Sequence, residues 1–221
     1  MEYKTETRDK ILDVAETLFT EHGYKGTSLR TLTSKAKVNV ASVNYHFGDK
    51  KTLIRQLLNR YLSELMPAIH ESLERLNQQE SYTLEEVFNA IKAPLCSLND
   101  IKPNGMHRFL LLLSKGYSDI QGHLRWFILT RYKNTLNLFV ESVRSSCGDI
   151  DDAELFWRLH FSLGTFIFAI GSSKALAEIA SSTFDQHNAD AEAIIDRLIP
   201  YLAAGIIAEP NATVSTPAPS I

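Results

Sequence analysis

The sequence predicts an all-α protein in which an N-terminal three-helix helix-turn-helix module precedes a larger C-terminal helical domain. Apolar residues recur at intervals of three and four along most of the 221 residues, as they do in amphipathic helices. The sequence lacks the alternation of apolar and polar residues that is typical of half-buried strands. Near the N-terminus, two short helical stretches joined by Lys37 and Val38 follow a longer one, and this arrangement predicts a helix-turn-helix.

The first two helices are predicted over residues 7–22 and 28–36. The apolar stripe of the first helix consists of Ile11, Leu12, Ala15, Leu18 and Phe19. Thr27 stands before the second helix, where a hydroxyl can accept a hydrogen bond from a first-turn N–H group. We therefore expect Thr27 to be the N-cap of the second helix.

The third helix is predicted over Val40–Phe47, with Asn39 as its N-cap. Val43 and Phe47 lie four residues apart and are expected to face the core. The remaining side chains of Asn44, Tyr45 and His46 then face outward.

A fourth helix is predicted from Lys50 towards Leu76, with Pro67 as a candidate kink. Such a helix would be anchored in the small module at one end and in the larger domain at the other, so a movement in one part would be transmitted to the other. Further helices are predicted over residues 84–98, 105–117, 123–145, 152–180 and 190–207. The domain boundaries are accordingly placed at residues 1–52, 53–207 and 208–221, and the last segment is rich in Pro, Ser and Thr, which is typical of a disordered tail.

The charge distribution separates the two ends of the chain. Residues 1–60 hold eleven Lys and Arg against seven Asp and Glu, whereas the remainder holds twelve against nineteen. Between Thr27 and Arg60 there are seven cations and one acid, Asp49. A local surplus of cations is suited to a polyanion, and the second helix of a helix-turn-helix enters the major groove of DNA.

The string VNYHFGDKKTLI, preceded by LFTEHGYKGTS, resembles the DNA-binding domain of TetR-type transcriptional repressors. Lys37 departs from that family, which usually has Gly there, and must adopt a left-handed or adjusted turn. Asn44 replaces a Tyr frequent at that family position, so the operator sequence cannot be taken from better-known members.

The predicted DNA-binding surface combines residues of three kinds. Asn44 can pair with adenine and Ser42 can reach a base edge, while Thr27 and Ser28 suit a phosphate at a helix N-terminus. The resemblance implies phosphate contacts for Tyr45, His46 and Lys50. The complete predicted surface is Thr27, Ser28, Asn39, Ala41, Ser42, Asn44, Tyr45, His46 and Lys50.

The segment ELFWRLHFSLGTFIFAIGSSKALAEIA resembles the PsrA-like, fatty-acid-responsive branch of the same family. This resemblance implies a small-molecule inducer with a long acyl chain, held by apolar side chains and a cation. The candidate ligand-binding residues are Arg108, Phe109, Leu113, Trp126, Phe127, Trp157 and Phe161. An aromatic stripe at helical spacing is more often part of a plain core than of a ligand pocket.

The same resemblance implies a homodimer formed by the last two long helices of each subunit. The candidate interface residues are Phe161, Gly164, Ile167, Gly171, Ile195, Leu198 and Leu202. A two-fold protein would read a pseudo-palindromic operator on double-stranded DNA. The alternative is that these residues only fill the core of the monomer.

Several other functions are disfavoured by the sequence. It contains no Glu-x-x-His pair, HExxH, GxSxG, P-loop or dinucleotide fingerprint, so we expect neither an enzyme nor a cofactor nor a metal site. The two cysteines and the lack of a signal-like or membrane-spanning stretch favour a cytoplasmic protein. Two alternatives remain open: a repressor of efflux genes induced by an aromatic or cationic drug, and a helical ligand-binding module that does not bind DNA.

Overall fold

A computed structural model describes residues 2–119, 123–184 and 191–209 of the chain. The all-α prediction is confirmed, since every regular element in these ranges is helical. The helices are α1 (Glu2–Gly26), α2 (Leu29–Ala36), α3 (Val40–Phe47), α4 (Lys50–Leu76), α5 (Leu84–Cys96), α6 (Leu98–Ile101), α7 (Gly105–Asp119), α8 (His123–Arg131), α9 (Lys133–Cys147), α10 (Asp152–Gly171), α11 (Ser173–Phe184) and α12 (Ala191–Ile207). Most of the predicted tail, residues 210–221, lies outside the described residues.

Helices α1 to α3 form the N-terminal module around one shared apolar core. The five predicted stripe residues of α1 are all buried, and so are Leu32 and Ala36 of α2 and Val43 and Phe47 of α3. Lys37 adopts the left-handed conformation (φ 53°, ψ 44°) that its place between α2 and α3 demands. The turn therefore forms without the Gly that this position usually carries.

The N-cap of α2 was predicted one residue too early. Ser28, not Thr27, accepts the hydrogen bond from the backbone N–H of Thr31, at 3.0 Å. Thr27 is buried, and its hydroxyl donates to the carbonyl oxygens of Leu18 and Gly23 instead. Because Gly23 turns the chain with φ 71°, the hydroxyl of Thr27 can satisfy carbonyls at the end of α1.

Helix α4 joins the module to the rest of the protein without interruption and continues past Pro67. Its buried face begins at Leu53 and Ile54 and extends to Leu73 and Leu76, where it packs against α5 and α9. The same helix thus belongs to the N-terminal core at one end and to the larger core at the other. The exact boundary proposed at residue 52 stays a prediction.

Two predicted helices of the larger domain are each divided in two. The predicted helix over residues 84–98 is instead a single helix, α5, which ends at Cys96 before the short α6 begins at Leu98. The predicted helix over 123–145 is broken at Tyr132 (φ −115°, ψ 24°) between α8 and α9. The predicted helix over 152–180 is broken at Ser172, where α10 and α11 meet at a bend of 69°. Neither Tyr132 nor Ser172 is the Gly or Pro that would have marked a break in the sequence.

Helix α7 lies in the middle of the protein. It packs against α1 of the N-terminal module on one side and against α10 on the other, while α10 also packs against α12. In the ranges that the structure covers, no single helix is long and apolar enough to span a membrane. The bent pair α10 and α11 meets the length and composition criteria only when taken together.

Candidate nucleic-acid interface

Helix α3 presents the side chains that were predicted to read base edges. The carboxamide oxygen of Asn39 accepts hydrogen bonds from the backbone N–H of Ser42 at 2.7 Å and from its hydroxyl at 2.8 Å, which confirms Asn39 as the N-cap. Burial of Val43 and Phe47 fixes the rotation of the helix. Ala41, Asn44 and Tyr45 are consequently exposed on one face.

Tyr45 and His46 form an aromatic pair at the C-terminal half of α3. Their rings meet edge to face with centroids 5.1 Å apart, and the Tyr45 side chain is 67% exposed. A phenol hydroxyl on an exposed ring can donate to a phosphate oxygen. The position of Tyr45 is therefore compatible with the predicted backbone contact.

The predicted phosphate contacts on either side of α3 differ in how accessible they are. Ser28 is exposed at the N-terminus of α2, where its hydroxyl also bonds that of Thr31 at 2.8 Å. Thr27 is buried and its hydroxyl is engaged with α1, so its predicted phosphate contact is wrong. Lys50 lies with its ammonium group 4.1 Å from the centroid of the Tyr24 ring and bonds the Tyr24 carbonyl oxygen.

The surface of the N-terminal module near α3 exposes fewer Lys and Arg side chains than the sequence suggested. Arg60 is directed towards α1, where its guanidinium lies 2.7 Å from Asp13. The exposed cations near the turn are Arg30, Lys35, Lys37 and Lys51. These four residues surround α3 and give the face its positive charge.

The candidate ligand-binding residues do not converge on one cavity. Phe109 is buried, and Leu113 and Phe127 are partly buried within the larger core. Trp126, Trp157 and Phe161 are 63%, 55% and 64% exposed, so the expectation that they line an interior pocket is corrected. The helical period that suggested a lining cannot tell an inward stripe from an outward one.

Arg108, the candidate for holding a carboxylate, and Arg158, which follows the candidate Trp157, already have protein partners. Arg108 bonds Glu16 at 3.1 Å. Arg158 is buried, pairs with Glu154 at 2.6 Å, and donates to the carbonyl oxygen of Ile206 in the last turn of α12. A cation at a helix C-terminus is favourable, so Arg158 stabilises the packing of α10 on α12. The side chain of Arg125 lies outside the described residues.

Two surface clefts lie beside α4. One, of about 320 Å³, is lined by α4 and α5 and includes Arg75, Gln79 and Glu86. The other, of about 550 Å³, lies between α4 and the junction of α8 with α9. Its lining is Pro67, His70, Glu71, Glu74, Thr130, Arg131, Tyr132, Lys133, Asn134 and Thr135. The second cleft was not predicted, because it depends on the break at Tyr132 between α8 and α9.

The candidate dimer residues separate into an exposed and a buried group. Phe161 and Gly164 are exposed on α10, and Ile167 is partly buried beside them. Gly171 faces inward, since a Cβ added there would lie 3.7 Å from Cδ2 of Leu111. Ile195 and Leu202 are buried in the protomer, whereas Leu198 is partly exposed, so the predicted contribution of Ile195 and Leu202 to the interface is corrected to a core role.

Comparison with known proteins agrees with this architecture. The family model for bacterial regulatory proteins of the tetR family matches residues 11–57. The model for a tetracyclin repressor-like C-terminal domain matches residues 89–205, more than half of the chain. The chain belongs to the TetR family. Members of the TetR family are DNA-binding transcriptional regulators and not enzymes. Family membership therefore argues against the alternative of a helical ligand-binding module that does not bind DNA.

Curated relatives match mainly the N-terminal part of this TetR-family chain. The probable HTH-type transcriptional regulator YttP of Bacillus subtilis (strain 168) is 30% identical over 90 residues, which make up 40% of this chain and 44% of that protein. IcaR of Staphylococcus aureus (strain Newman), the negative transcriptional regulator of the biofilm operon icaADBC, is 45% identical over 49 residues. Those residues are 22% of this chain and 26% of IcaR, so the match spans less than half of either relative.

Solved structures match almost the whole chain at low identity. HlyIIR, a hemolysin II transcriptional regulator, is 20% identical with a TM-score of 0.57, over 90% of this chain and 98% of that one. KstR2 of Mycobacterium tuberculosis, a ketosteroid transcriptional regulator, is 14% identical with a TM-score of 0.54, over 90% and 93% of the two chains. At these identities the likeness concerns the fold alone.

Proposed function

We propose that this TetR-family protein is a ligand-responsive transcriptional repressor that binds a pseudo-palindromic operator as a homodimer. The exposed face of α3, formed by Ala41, Asn44 and Tyr45, carries this proposal. Exposed cations lie on the neighbouring elements, and α3 packs on α4 in the core that includes Phe47 and Leu53. Repression, rather than activation, is supported by the match of this part of the chain to IcaR, a negative transcriptional regulator.

Within the proposed complex, the residues divide into base readers and phosphate contacts. Asn44 offers a carboxamide that can pair with adenine in the major groove. Ser28, Tyr45 and His46 lie on both sides of Asn44 and would contact the backbone on either side of the groove. Lys50 adds a positive charge at the start of α4, although its ammonium group is held by Tyr24.

Selection of duplexes from a random-sequence library tests the proposal directly. The expected outcome is an enriched inverted repeat whose half-sites are separated by about one helical turn, or a multiple of it. Binding should weaken steeply as salt rises, because phosphate contacts release counterions. Recovery of no preferred sequence at modest ionic strength would contradict the proposal.

The proposed dimer uses α10 and α12. Trp157, Phe161 and Phe168 form an exposed apolar stripe on α10, with Gly164 among them. Stripes of this size are rare on the surface of a monomeric protein and mark contact surfaces. On α12, the exposed Tyr201 and Ile207 would contribute beside Leu198.

We propose an acyl-chain compound as the inducer, on the strength of the resemblance of residues 154–180 to the PsrA-like branch. The apolar interior around Phe109, Leu113 and Phe127 is the part of the candidate lining that is buried or partly buried. A panel of saturated and unsaturated fatty acids and their coenzyme A thioesters should raise the melting temperature and release selected DNA. No response across this panel would remove the acyl assignment and leave the repressor assignment standing.

An aromatic cation is the second candidate inducer, and the cleft beside Tyr132 favours it. Glu71 and Glu74 supply negative charge on one wall of that cleft, and Tyr132 supplies an aromatic ring. Glu74 lies 3.4 Å from His70 and Glu71 lies 2.7 Å from Arg75, and all four residues are on α4. A panel of cationic dyes and quaternary ammonium compounds in the same melting and release assays separates the two candidates.

Release follows from a difference in ligand affinity between two arrangements of the helices. A ligand can shift this equilibrium only by the difference between its binding free energies for the two arrangements. A hundredfold loss of operator occupancy requires a preference of about 2.7 kcal/mol. Because α4 passes from the ligand domain into the DNA-binding module, its displacement would change the separation of the two α3 helices.

A further inference from the structure

A cluster of opposite charges joins the N-terminal module to the larger domain. Three acids, Asp9, Asp13 and Glu16, lie on one face of α1 at intervals of four and three residues. Three cations face them from elsewhere in the chain: Arg60 on α4, Lys102 after α6, and Arg108 on α7. Lys102 and Arg108 belong to the larger domain, so the contact crosses between the two parts of the protein.

Glu16 is the centre of this cluster. Its side chain is 0% exposed, and its Oε1 accepts a hydrogen bond from Arg108 Nη1 at 3.1 Å. Its Oε2 lies 3.7 Å from Arg60 Nη1 and 3.6 Å from Lys102 Nζ. A buried carboxylate is costly unless cations surround it, and here the cations come from three separate elements.

The cluster also contains polar atoms without a hydrogen bond. Among the described residues, Arg108 Nε is buried without a hydrogen bond, and Glu16 Oε2 has only its two cations, at 3.6 and 3.7 Å. Burial raises the pKa of the Tyr61 hydroxyl, and the neighbouring charge of Glu16 raises it further. A buried polar atom without a hydrogen bond costs of order 1–3 kcal/mol, so the buried Glu16 carboxylate depends on its cations for stabilisation.

Helix α7 connects this cluster to the proposed dimer helix. Arg108 faces α1, while the preceding residue, His107, hydrogen-bonds the backbone of Ile170 on α10. The following residue, Phe109, packs its ring 5.7 Å from that of Tyr61 on α4. Three consecutive residues of α7 therefore contact α10, α1 and α4 in turn.

We infer that Arg108 is a positioning residue, which fixes the orientation of the DNA-binding module by its contact with Glu16. A displacement of α7 on ligand binding would separate Arg108 from Glu16 and free the module to turn about α4. The inference rests on the proposed repressor function for its purpose, but the contact itself can be tested without DNA or inducer. Loss of the contact between Arg108 and Glu16 should change the position of the N-terminal module relative to the larger domain, and not only the free energy of unfolding.

Distance measurements between spin labels test the inference. The labels replace exposed Lys35 in α2 and exposed Glu141 in α9, in a full-length chain with Cys96→Ser and Cys147→Ser, diluted with unlabelled protein. Arg108→Met and Glu16→Gln should broaden the distance distribution, whereas Arg108→Lys should retain most of the parent distribution. Arg75→Met is the matched control. It removes the exposed ion pair between Arg75 and Glu71 on α4, whose charged atoms are 2.7 Å apart, and leaves the Glu16 cluster unchanged.

A second measurement compares a full selected operator with a single half-site. Arg108→Met should lower the affinity for the full site about tenfold and leave the half-site within about twofold, as expected when only the coupling is lost. Unchanged distances in both Arg108→Met and Glu16→Gln, or equal broadening in Arg75→Met, would overturn the inference. If no duplex is selected at all, the repressor proposal fails, and the distance distributions still decide the role of Arg108.

Discussion

Lys50 Nζ donates a hydrogen bond to the carbonyl oxygen of Tyr24 and lies 4.1 Å from the centroid of the Tyr24 ring. The first residue of α4 is thereby attached to the end of α1. A cation beside a carbonyl near a helix C-terminus and over an aromatic face is favourable on both counts. Lys50 consequently has a structural role in the module in addition to its proposed contact with phosphate.

Lys50→Ala is expected to weaken binding to every duplex by a similar factor. Removal of one phosphate contact should lower the slope of log affinity against log salt by about one. The loss of the bond to Tyr24 should also lower the melting temperature. Lys115→Ala removes the same charge from an exposed position on α7, outside the proposed interface, and should change neither quantity. A slope for Lys50→Ala equal to that of the parent would exclude a phosphate contact.

Thr27→Val and Ser28→Ala should both lower stability, but only Ser28→Ala should also weaken DNA binding. Thr27 donates to two carbonyl oxygens of α1, so Thr27→Val should lower the free energy of unfolding by ~1–3 kcal/mol in urea titrations and leave the salt slope unchanged. Ser28→Ala removes an exposed cap and should cost ~1 kcal/mol. It should also weaken DNA binding, because its hydroxyl lies on the proposed interface. A loss of DNA affinity in Thr27→Val under conditions where the variant is fully folded would restore the phosphate contact of Thr27.

Asn44→Ala tests base reading on α3. The substitution should relax discrimination at one or two positions of the selected operator by ~1–3 kcal/mol and leave nonspecific affinity nearly intact. Repeating the duplex selection with the variant measures this directly. Asn134→Ala, an exposed asparagine on α9, serves as the control. Equal loss on all sequences would assign Asn44 to the backbone instead.

The helix-turn-helix could be predicted closely from the sequence because local signals agreed there. The cap at Asn39 and the inward pair Val43 and Phe47 fix both ends and the rotation of α3. The one-residue error at Thr27 arose because Thr and Ser are both good caps and stand side by side. Only the tertiary contact of Thr27 with Leu18 distinguishes them.

The larger domain was harder to predict because its apolar periodicity continues across two breaks. No Gly or Pro stands at Tyr132, and Gly171 before Ser172 was taken as part of a continuous helix, so long helices were predicted at both places. The outward direction of Trp157 and Phe161 could not be read from their spacing. Glu16 did leave a signal, as an acid within the apolar stripe between Ala15 and Leu18, but its three cationic partners come from distant parts of the chain.

Asp49 makes a contribution to stability that should disappear in acid. The pKa of its carboxyl lies below the ordinary value, chiefly because the backbone N–H of Thr52 donates to it at 2.6 Å. A lowered folded-state pKa means that the contribution is present above the unfolded pKa of about 3.9 and is lost as the pH falls through the folded value. Asp49→Asn keeps a good N-cap without the charge.

The measurement for Asp49 is the urea midpoint of parent and variant between about pH 6 and about pH 3. The stability of Asp49→Asn should fall less than that of the parent over this interval. Glu141→Gln, which removes an exposed acid on α9, should follow the parent more closely. Parallel curves for the parent and Asp49→Asn would show that the cap does not depend on the charge.

Phe161→Glu tests the proposed homodimer. Phe161 is 64% exposed in the protomer and stacks on Trp157 with ring centroids 5.9 Å apart, so the substitution should leave the fold intact. A carboxylate at the centre of an apolar interface would be buried without a partner, and the dimer should dissociate. Sedimentation should then report a monomer, and binding to a two-half-site operator should fall to the affinity of one half-site. Ser145→Glu, an exposed position on α9, adds the same charge and should remain dimeric. A parent protein that sediments as a monomer, or a dimeric Phe161→Glu variant, would show that α10 does not form the interface.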